Sequence, residues 1–167
     1  MQLKNIKIPP RHEVRPYFQP IISLQSQRII GYETLGRRIR ESGVESLGPF
    51  FKDPDISEDM QLMIDRHLRE QAIERIAAAD ESELFINLKP SWIYRTYKRT
   101  GVLPTLELVK KYHINPARIV IEVTEEEFTG QLQELTWIVE LYREFGCTIA
   151  IDDVGSGFSN FDRIASL

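Results

Sequence analysis

The sequence predicts an α/β fold in which helices cover a parallel sheet. Three runs have the length and residue types of strands, "ELFINL", "RIVIEV" and "CTIAID", and helical patterns lie between them. The runs are apolar on both faces, which is typical of parallel strands buried between helices. With 167 residues, 42% of them hydrophobic, the chain is long enough for one domain with a real core.

A hairpin is predicted ahead of this alternation. The runs "YFQPIISL" and "RIIGYETLGRR" are strand-like and are separated by a short polar segment. The following "LGPFFKDPD" contains two prolines and is predicted to be a loop. Ser57 is suited to cap the next helix, which is predicted to run to about Ala79.

Helices are predicted between and after the later strands. The segment "SWIYRTY" is expected to be irregular or a single short helical turn, whereas "TLELVKKYH" is expected to be a helix. An amphipathic helix is predicted over about 130–145, and Gly146 is placed to end it. The final "FSNFDRIASL" is predicted to begin another helix.

Two architectures satisfy this alternation, an open doubly wound sheet and a (β/α) barrel. The glycine-rich motifs with which the open class binds phosphate do not follow the strands in this sequence. Their absence favours the barrel.

The strands share a chemical feature near their carboxyl ends. Because side chains alternate along a strand, each strand directs one oxygen-bearing side chain, among apolar neighbours, toward a common face. These side chains are Glu33, Asn87, Glu122 and Asp152, and Asp153 follows directly. In a barrel the carboxyl ends of parallel strands meet at one rim, where active sites lie. The set therefore predicts a site for one or two divalent cations, Mg²⁺ or Mn²⁺, which prefer hard oxygen ligands.

Bulk properties argue against several classes of protein. A formal net charge of −4 does not fit a surface that binds nucleic acid through its phosphates, so no DNA partner is expected. No stretch reaches the ~18 to 20 apolar residues of a membrane span, and the N-terminus lacks the apolar core of a signal peptide. The single cysteine, Cys147, fits a reducing compartment. A cytoplasmic location is therefore expected.

Five segments together resemble, in order, the motifs of the EAL domain family. They are "YFQPIISL", "GYETLGRR", "FINLKPSW", "IVIEVTEEEF" and "IAIDDVGSGFSNF". The resemblance covers 17–167 and implies a modified TIM-type (β/α) barrel that hydrolyses cyclic di-GMP to linear pGpG by means of a metal-activated water. It implies a leader over 1–13 and the N-terminal part of an EAL domain over 14–167, an incomplete barrel of about the first five strands.

The resemblance also implies roles for individual residues. The metal ligands it implies are Glu33, Asn87, Glu122 and Asp152, with Asp153 at a second metal. The residues it places in the catalytic machinery are Glu33, Asp152, Asp153 and Glu125, the last bracing a neighbouring loop. The residues it assigns to substrate binding are Gln19, at the end of the first strand, and Arg37, which meets a phosphate.

The sequence departs from the family pattern in three motif residues and in its ending. Thr34 replaces the usual alanine or valine of the signature tripeptide, and Gly36 and Val154 differ from the commonest leucine and phenylalanine, but none of these changes removes a ligand. Family members continue beyond "FDRIASL" with strands that carry a catalytic lysine and a further glutamate ligand. Residues 1–167 alone are therefore expected to be inactive, and the resemblance further implies a homodimer and a C-terminal sensory domain in a longer protein.

Two other functions remain open at this stage. A degenerate EAL domain would bind cyclic di-GMP as a receptor without cleaving it. An unrelated lyase barrel of the enolase kind would use a Mg²⁺ site together with a lysine or histidine base. The three histidines lie in the leader, a helix and a helix end, which does not fit the second alternative.

Overall fold

The computed structural model describes residues 8–79, 81–124 and 132–152, which form six strands and five α-helices. The strands are β1 (Val14–Ser23), β2 (Arg28–Arg40), β3 (Gly43–Ser46), β4 (Glu83–Asn87), β5 (Ile119–Thr124) and β6 (Thr148–Asp152). The helices are α1 (Gly48–Lys52), α2 (Glu58–Ala77), α3 (Pro90–Thr100), α4 (Pro104–Lys111) and α5 (Leu132–Phe145). None of the described helices is both long enough and apolar enough to cross a lipid bilayer.

All six strands belong to one mixed sheet. The hairpin strands β1 and β2 are antiparallel, whereas β2, β4, β5 and β6 run parallel to one another in that order. The short β3 pairs with the end of β2, off the main path. Within the described residues the sheet is open, with β1 and β6 at its edges. The predicted α/β class and the predicted hairpin are confirmed.

The main core lies between the sheet and the helices. Leu84, Ile119 and Ile121 of β4 and β5 are at most 1% exposed and share one apolar cluster with Ile73 of α2 and Ile138 of α5. Because strand side chains alternate, the residues between these positions lie on the opposite face of the sheet. Burial of these apolar side chains against the helices therefore determines which side chains of β4 and β5 lie on the other face of the sheet.

One sequence prediction is wrong: "SWIYRTY" belongs to the eleven-residue helix α3. Pro90 occupies the first turn, where its missing N–H is not needed. Trp92, Ile93 and Thr96 form a buried face at helical spacing. Gly101 ends the helix in a left-handed conformation with φ of 68°. The helix is stabilised by packing of this face, which propensity alone does not show.

The predicted proline-containing loop also needs correction, because it contains the short helix α1 and follows β3, which the sequence did not predict. The predicted helix limits hold better. Ser57 occupies the N-cap position of α2, although its side chain makes no capping hydrogen bond. Gly146 follows α5 with φ of 100°, as expected of a residue that ends a helix. The predicted helix in "FSNFDRIASL" lies outside the described residues.

Gly31 is required where β2 approaches β4. A Cβ at this position would lie 2.6 Å from the carbonyl oxygen of Glu83 and 2.8 Å from a ring carbon of Phe85. Gly31→Ala is therefore expected to lower the free energy of unfolding by about 1 to 3 kcal/mol, because overpacking forces the two strands apart. Urea denaturation measures the loss.

Gly48→Ala is the matched control. A Cβ at Gly48 would meet only the Ser46 hydroxyl, at 3.4 Å, and the residue begins helix α1. Its free energy of unfolding is expected to stay within ~0.5 kcal/mol of the wild type. Equal stability of Gly31→Ala and Gly48→Ala would contradict the proposed crowding.

Candidate active site

The polar side chains predicted to share a face do so in the structure. Asn87 of β4 pairs in register with Glu122 of β5, and Glu122 pairs with Ala150, two residues before Asp152 on β6. Glu33 of β2 pairs with Phe85, two residues before Asn87. Since positions two residues apart face the same way, these four side chains form one set, called here the acid face.

The ends of β2 and β4 are joined directly within the acid face. The amide Nδ2 of Asn87 donates a hydrogen bond to Oε1 of Glu33 at 3.1 Å. This orientation leaves the Oδ1 of Asn87 as the atom with which the amide would ligate a cation. The backbone N–H of Leu88 donates to the carbonyl oxygen of Glu122 at 3.1 Å, which holds the end of β4 against β5.

Glu122 is the most buried carboxylate of the acid face, with 9% exposure. Its Oε2 has no hydrogen-bond partner among the described residues. Burial first, and then the negative charges of Glu33 and Asp152, together raise the pKa of Glu122 to about 7. A buried carboxylate that is surrounded by acids and lacks a donor is unfavourable by itself and favourable beside a cation.

The donor set therefore fits a divalent cation. Carboxylate and amide oxygens are suitable ligands of Mg²⁺ and Mn²⁺, and the Oε2 of Glu122, which no described residue bonds, is an available ligand atom. In 8–79, 81–124 and 132–152, however, no three His, Cys, Asp or Glu side chains are close enough together to hold a metal ion. Carboxylates repel one another unless a cation lies between them. The predicted ligand Asp153 lies outside the described residues.

The predicted substrate-binding residues border the acid face. Gln19 pairs with Glu33 across the β1–β2 hairpin and is exposed. Arg37 lies four residues beyond Glu33 on β2, on the same face, and its Nη1 donates to the carbonyl oxygen of Gly36 at 3.0 Å. A partly buried guanidinium beside an acid set is suited to a phosphate group. Glu125, predicted to brace a loop, lies outside the described residues.

Sequence reasoning did not single out Lys89, which follows the acid face by two residues. Its Nζ donates to the carbonyl oxygen of Phe51 at 3.1 Å and lies 4.6 Å from the ring centroid of Trp92. Lys89 thus attaches α1 to the turn that follows Asn87. The two bonded residues are 38 positions apart, so no local pattern in the sequence signals the contact.

Comparisons with known proteins point to one family. Residues 7–167 match the EAL domain. The chain is 38% identical over 159 residues to YkuI, an uncharacterized EAL-domain containing protein of Bacillus subtilis strain 168. The crystal structure of YkuI in complex with substrate c-di-GMP and calcium superposes on this chain with a TM-score of 0.83 and 37% identity, covering 93% of this chain and 39% of that chain.

Two further proteins extend the likeness. The probable cyclic di-GMP phosphodiesterase PdeB of Escherichia coli K12 is 30% identical over 155 residues, 90% of this chain. A standalone versatile EAL protein from Vibrio cholerae O395, in its c-di-GMP bound form, superposes with a TM-score of 0.74 and 32% identity, covering 92% of this chain and 62% of that chain. The chain spans 38% of the length of YkuI and 29% of that of PdeB.

Proposed function

The chain belongs to the EAL domain family, and we propose that it provides metal-binding and substrate-binding strands of a cyclic di-GMP phosphodiesterase. The observation that supports this most is the buried Glu122, which lies beside Glu33 and Asp152 and whose Oε2 has no hydrogen-bond partner in the part of the chain that the structure describes. Such a carboxylate calls for a cation, and YkuI was crystallised with both c-di-GMP and calcium. The reaction is hydrolysis of one phosphodiester bond to give linear pGpG.

The acid face holds the cation in this proposal. Glu33, Asn87, Glu122 and Asp152 would hold one ion, Mg²⁺ or Mn²⁺, and Asp153 would be a ligand of a second. When bound, such an ion supplies Lewis acidity at the phosphodiester and lowers the pKa of the attacking water. The protein's own contribution is the fixed spacing of its strands, since the Asn87–Glu33 hydrogen bond aligns two of the ligands before the substrate arrives.

The substrate lies across the neighbouring residues. Arg37 binds a phosphate oxygen through its guanidinium, and Gln19 lines the same site from the edge strand β1. The family resemblance assigns Glu125 to brace the loop that follows the next strand. The positions of Gln19 and Arg37 beside Glu33 support this arrangement, because a phosphodiester held there lies next to the proposed cation.

The wider setting of the domain is part of the same proposal. The single cysteine, Cys147, is buried and free, which supports a cytoplasmic location. The family resemblance supports a homodimer and a C-terminal sensory domain in the full-length protein, with residues 1–13 as a leader. A receptor that binds cyclic di-GMP without cleaving it would use the same described residues.

Asp152→Asn tests the proposal. The change removes an anionic ligand and keeps the shape of the side chain, so Mg²⁺ affinity measured by calorimetry is expected to fall by about tenfold or more. Cyclic di-GMP binding in the presence of Ca²⁺ and formation of pGpG in the presence of Mg²⁺ are measured on the same samples. Binding of the dinucleotide without pGpG would favour the receptor.

Asp55→Asn is the control, because Asp55 is exposed and lies before α2, away from the acid face. It makes the same change of charge and should leave Mg²⁺ affinity unchanged. Equal affinity of the wild type and Asp152→Asn, or an equal loss in both variants, would contradict the assigned ligand.

A further inference from the structure

Two arginines lie directly opposite each other on the β1–β2 hairpin. Arg15 of β1 pairs in register with Arg37 of β2, and the same unbroken stretch of pairing includes Gln19 opposite Glu33. Because positions two or four residues apart face the same way, Arg15 and Arg37 lie on the side of the sheet that carries the acid face. We call these two side chains the arginine pair. Like charges directly opposite on neighbouring strands repel, so the pair favours an anion beside it.

The other two arginines at this end of the hairpin are neutralised by carboxylates. Arg38 bonds Glu13 at 2.7 Å, and the Nε of Arg40 lies 3.4 Å from a carboxylate oxygen of Glu45. Both arginines alternate with Arg37 along β2 and therefore lie on the opposite face of the sheet. Neither member of the arginine pair forms an ion pair with any residue that the structure describes. Positive charge is thus left uncompensated only on the side of the acid face.

Each guanidinium of the arginine pair makes one hydrogen bond within the described part of the chain, and its acceptor is neutral. The Nη1 of Arg15 donates to the carbonyl oxygen of Val14, and the Nη1 of Arg37 donates to that of Gly36, both at 3.0 Å. A guanidinium has five N–H donors, so most of them remain for a ligand. Arg15 is exposed and Arg37 is half-buried, which leaves both accessible. The planar donor fork of arginine matches phosphate oxygens.

The position of the arginine pair relative to the acid face suggests which phosphate it meets. Arg37 follows Glu33 by four residues toward the carboxyl end of β2, about 13 Å between Cα atoms in an extended strand. Between them, Tyr17 lies opposite Leu35, so the intervening surface carries no charge. At this distance a long arginine side chain can reach a phosphate that is one nucleotide away from a cation at the acid face.

We propose that Arg15 is a further substrate-binding residue, which bonds the phosphodiester of cyclic di-GMP that is not cleaved. This inference rests on the proposed function, in which Arg37 bonds the phosphodiester beside the cation. Cyclic di-GMP carries one negative charge on each of its two phosphodiesters, so a single substrate molecule balances both charges of the arginine pair. Arg15 therefore favours cyclic dinucleotides over ligands with one phosphodiester, which cannot engage both arginines.

The first experiment tests the arginine pair without metal or nucleotide. Inorganic pyrophosphate in EDTA, with the ionic strength held constant by NaCl, is expected to raise the urea midpoint of the full chain, because an anion that binds the folded state stabilises it. Arg15→Met is expected to lose at least about half of this shift, because one of the two guanidinium groups is missing. Without pyrophosphate, the midpoint of Arg15→Met should be no lower than that of the wild type, since repulsion by Arg37 is removed.

The second experiment assigns the site to the substrate. Calorimetry in Ca²⁺ is expected to show about tenfold weaker binding of cyclic di-GMP to Arg15→Met, the effect of losing one charge-assisted hydrogen bond. Arg15→Lys is expected to restore part of the affinity, since lysine keeps the charge but not the planar fork. Arg40→Met is the control in both experiments, because it makes the same change of charge on the opposite face and should match the wild type.

The two experiments separate this inference from the proposed function. Equal cyclic di-GMP affinity of the wild type and Arg15→Met, or an equal loss in Arg40→Met, would overturn the role of Arg15 and leave the proposed function intact. A wild type that binds no cyclic di-GMP but loses its pyrophosphate shift in Arg15→Met would contradict the proposed function and retain the anion site. A wild type without any pyrophosphate shift would overturn the anion site itself. If Arg15→Met fails to fold, as judged by circular dichroism, Arg15→Gln decides by the same criteria.

Discussion

Replacing Arg69 by Met is expected to lower the free energy of unfolding by about 3 to 5 kcal/mol, the typical effect of breaking a buried ion pair on one side. The guanidinium of Arg69 is paired with Asp65 one turn earlier in α2 and donates to Oγ1 of Thr105 at 2.8 Å. Burial raises the pKa of Asp65, while the charge of Arg69 opposes that rise. Without Arg69, the carboxylate loses its main compensating charge, and Thr105 of α4 loses its donor.

The double variant Asp65→Asn/Arg69→Met separates this effect from lost packing. It removes both charges, so it is expected to lose clearly less stability than Arg69→Met alone. The control Arg99→Met removes an exposed arginine from α3 and should change the free energy of unfolding by less than ~0.5 kcal/mol. Urea denaturation supplies all three values. A single variant no less stable than the double variant would show that the ion pair is not responsible.

The acid face was predictable because it depends on a local rule. Side chains alternate along a strand, and each strand carries one oxygen-bearing side chain near its carboxyl end among apolar neighbours. That rule alone places Glu33, Asn87, Glu122 and Asp152 on one side of the sheet. It requires no knowledge of how far each strand is displaced along its neighbour.

The stagger of the strands was not predictable in the same way. Glu33 lies opposite Phe85 rather than Asn87, and Asp152 lies two residues beyond the position opposite Glu122. Register between parallel strands follows from twist and packing, which the sequence of a single strand does not specify. The Asn87–Glu33 hydrogen bond depends on this stagger, and so no motif indicated it.

Contacts between elements that are distant in the sequence could not be predicted either. Arg69 lies in a segment rich in strong helix formers and resembles any solvated arginine of such a helix. Its partner Thr105 is 36 residues away, in a different helix. The length of helix α3 was underestimated for a related reason. The helix is stabilised only when the sheet and α5 pack against its buried face.

Glu122→Gln is expected to have opposite effects on metal binding and on the stability of the metal-free protein. The substitution removes the most buried anionic side chain of the acid face, so affinity for Mg²⁺ or Mn²⁺ is expected to fall about 10- to 100-fold. It also removes a charge that is desolvated and repelled by Glu33 and Asp152. Without metal, the variant is therefore expected to be more stable than the wild type at neutral pH.

The pH dependence follows from the pKa of Glu122, which is about 7 in the folded state against an ordinary value of 4.5. Between these values the folded protein holds a proton that the unfolded chain has released, so this group makes the wild type less stable as pH rises. The advantage of Glu122→Gln should be near zero below pH ~4.5 and fully developed above pH ~7. Its size is expected to be about 1 to 3 kcal/mol, since one pKa unit corresponds to about 1.4 kcal/mol.

Thermal or urea denaturation in EDTA at pH 4.5, 6 and 8 measures the stability of the metal-free protein. The same series with Mn²⁺ measures the effect of metal binding. Saturating Mn²⁺ should reverse the order of stability at pH 8, because a ligand that binds only the folded state stabilises it by an amount that grows with the logarithm of the ligand affinity. Glu140→Gln, an exposed carboxylate of α5, should follow the wild type in both series. If Glu122→Gln is the less stable protein in EDTA at pH 8, Glu122 contributes a structural hydrogen bond instead, and its assignment as a metal ligand fails.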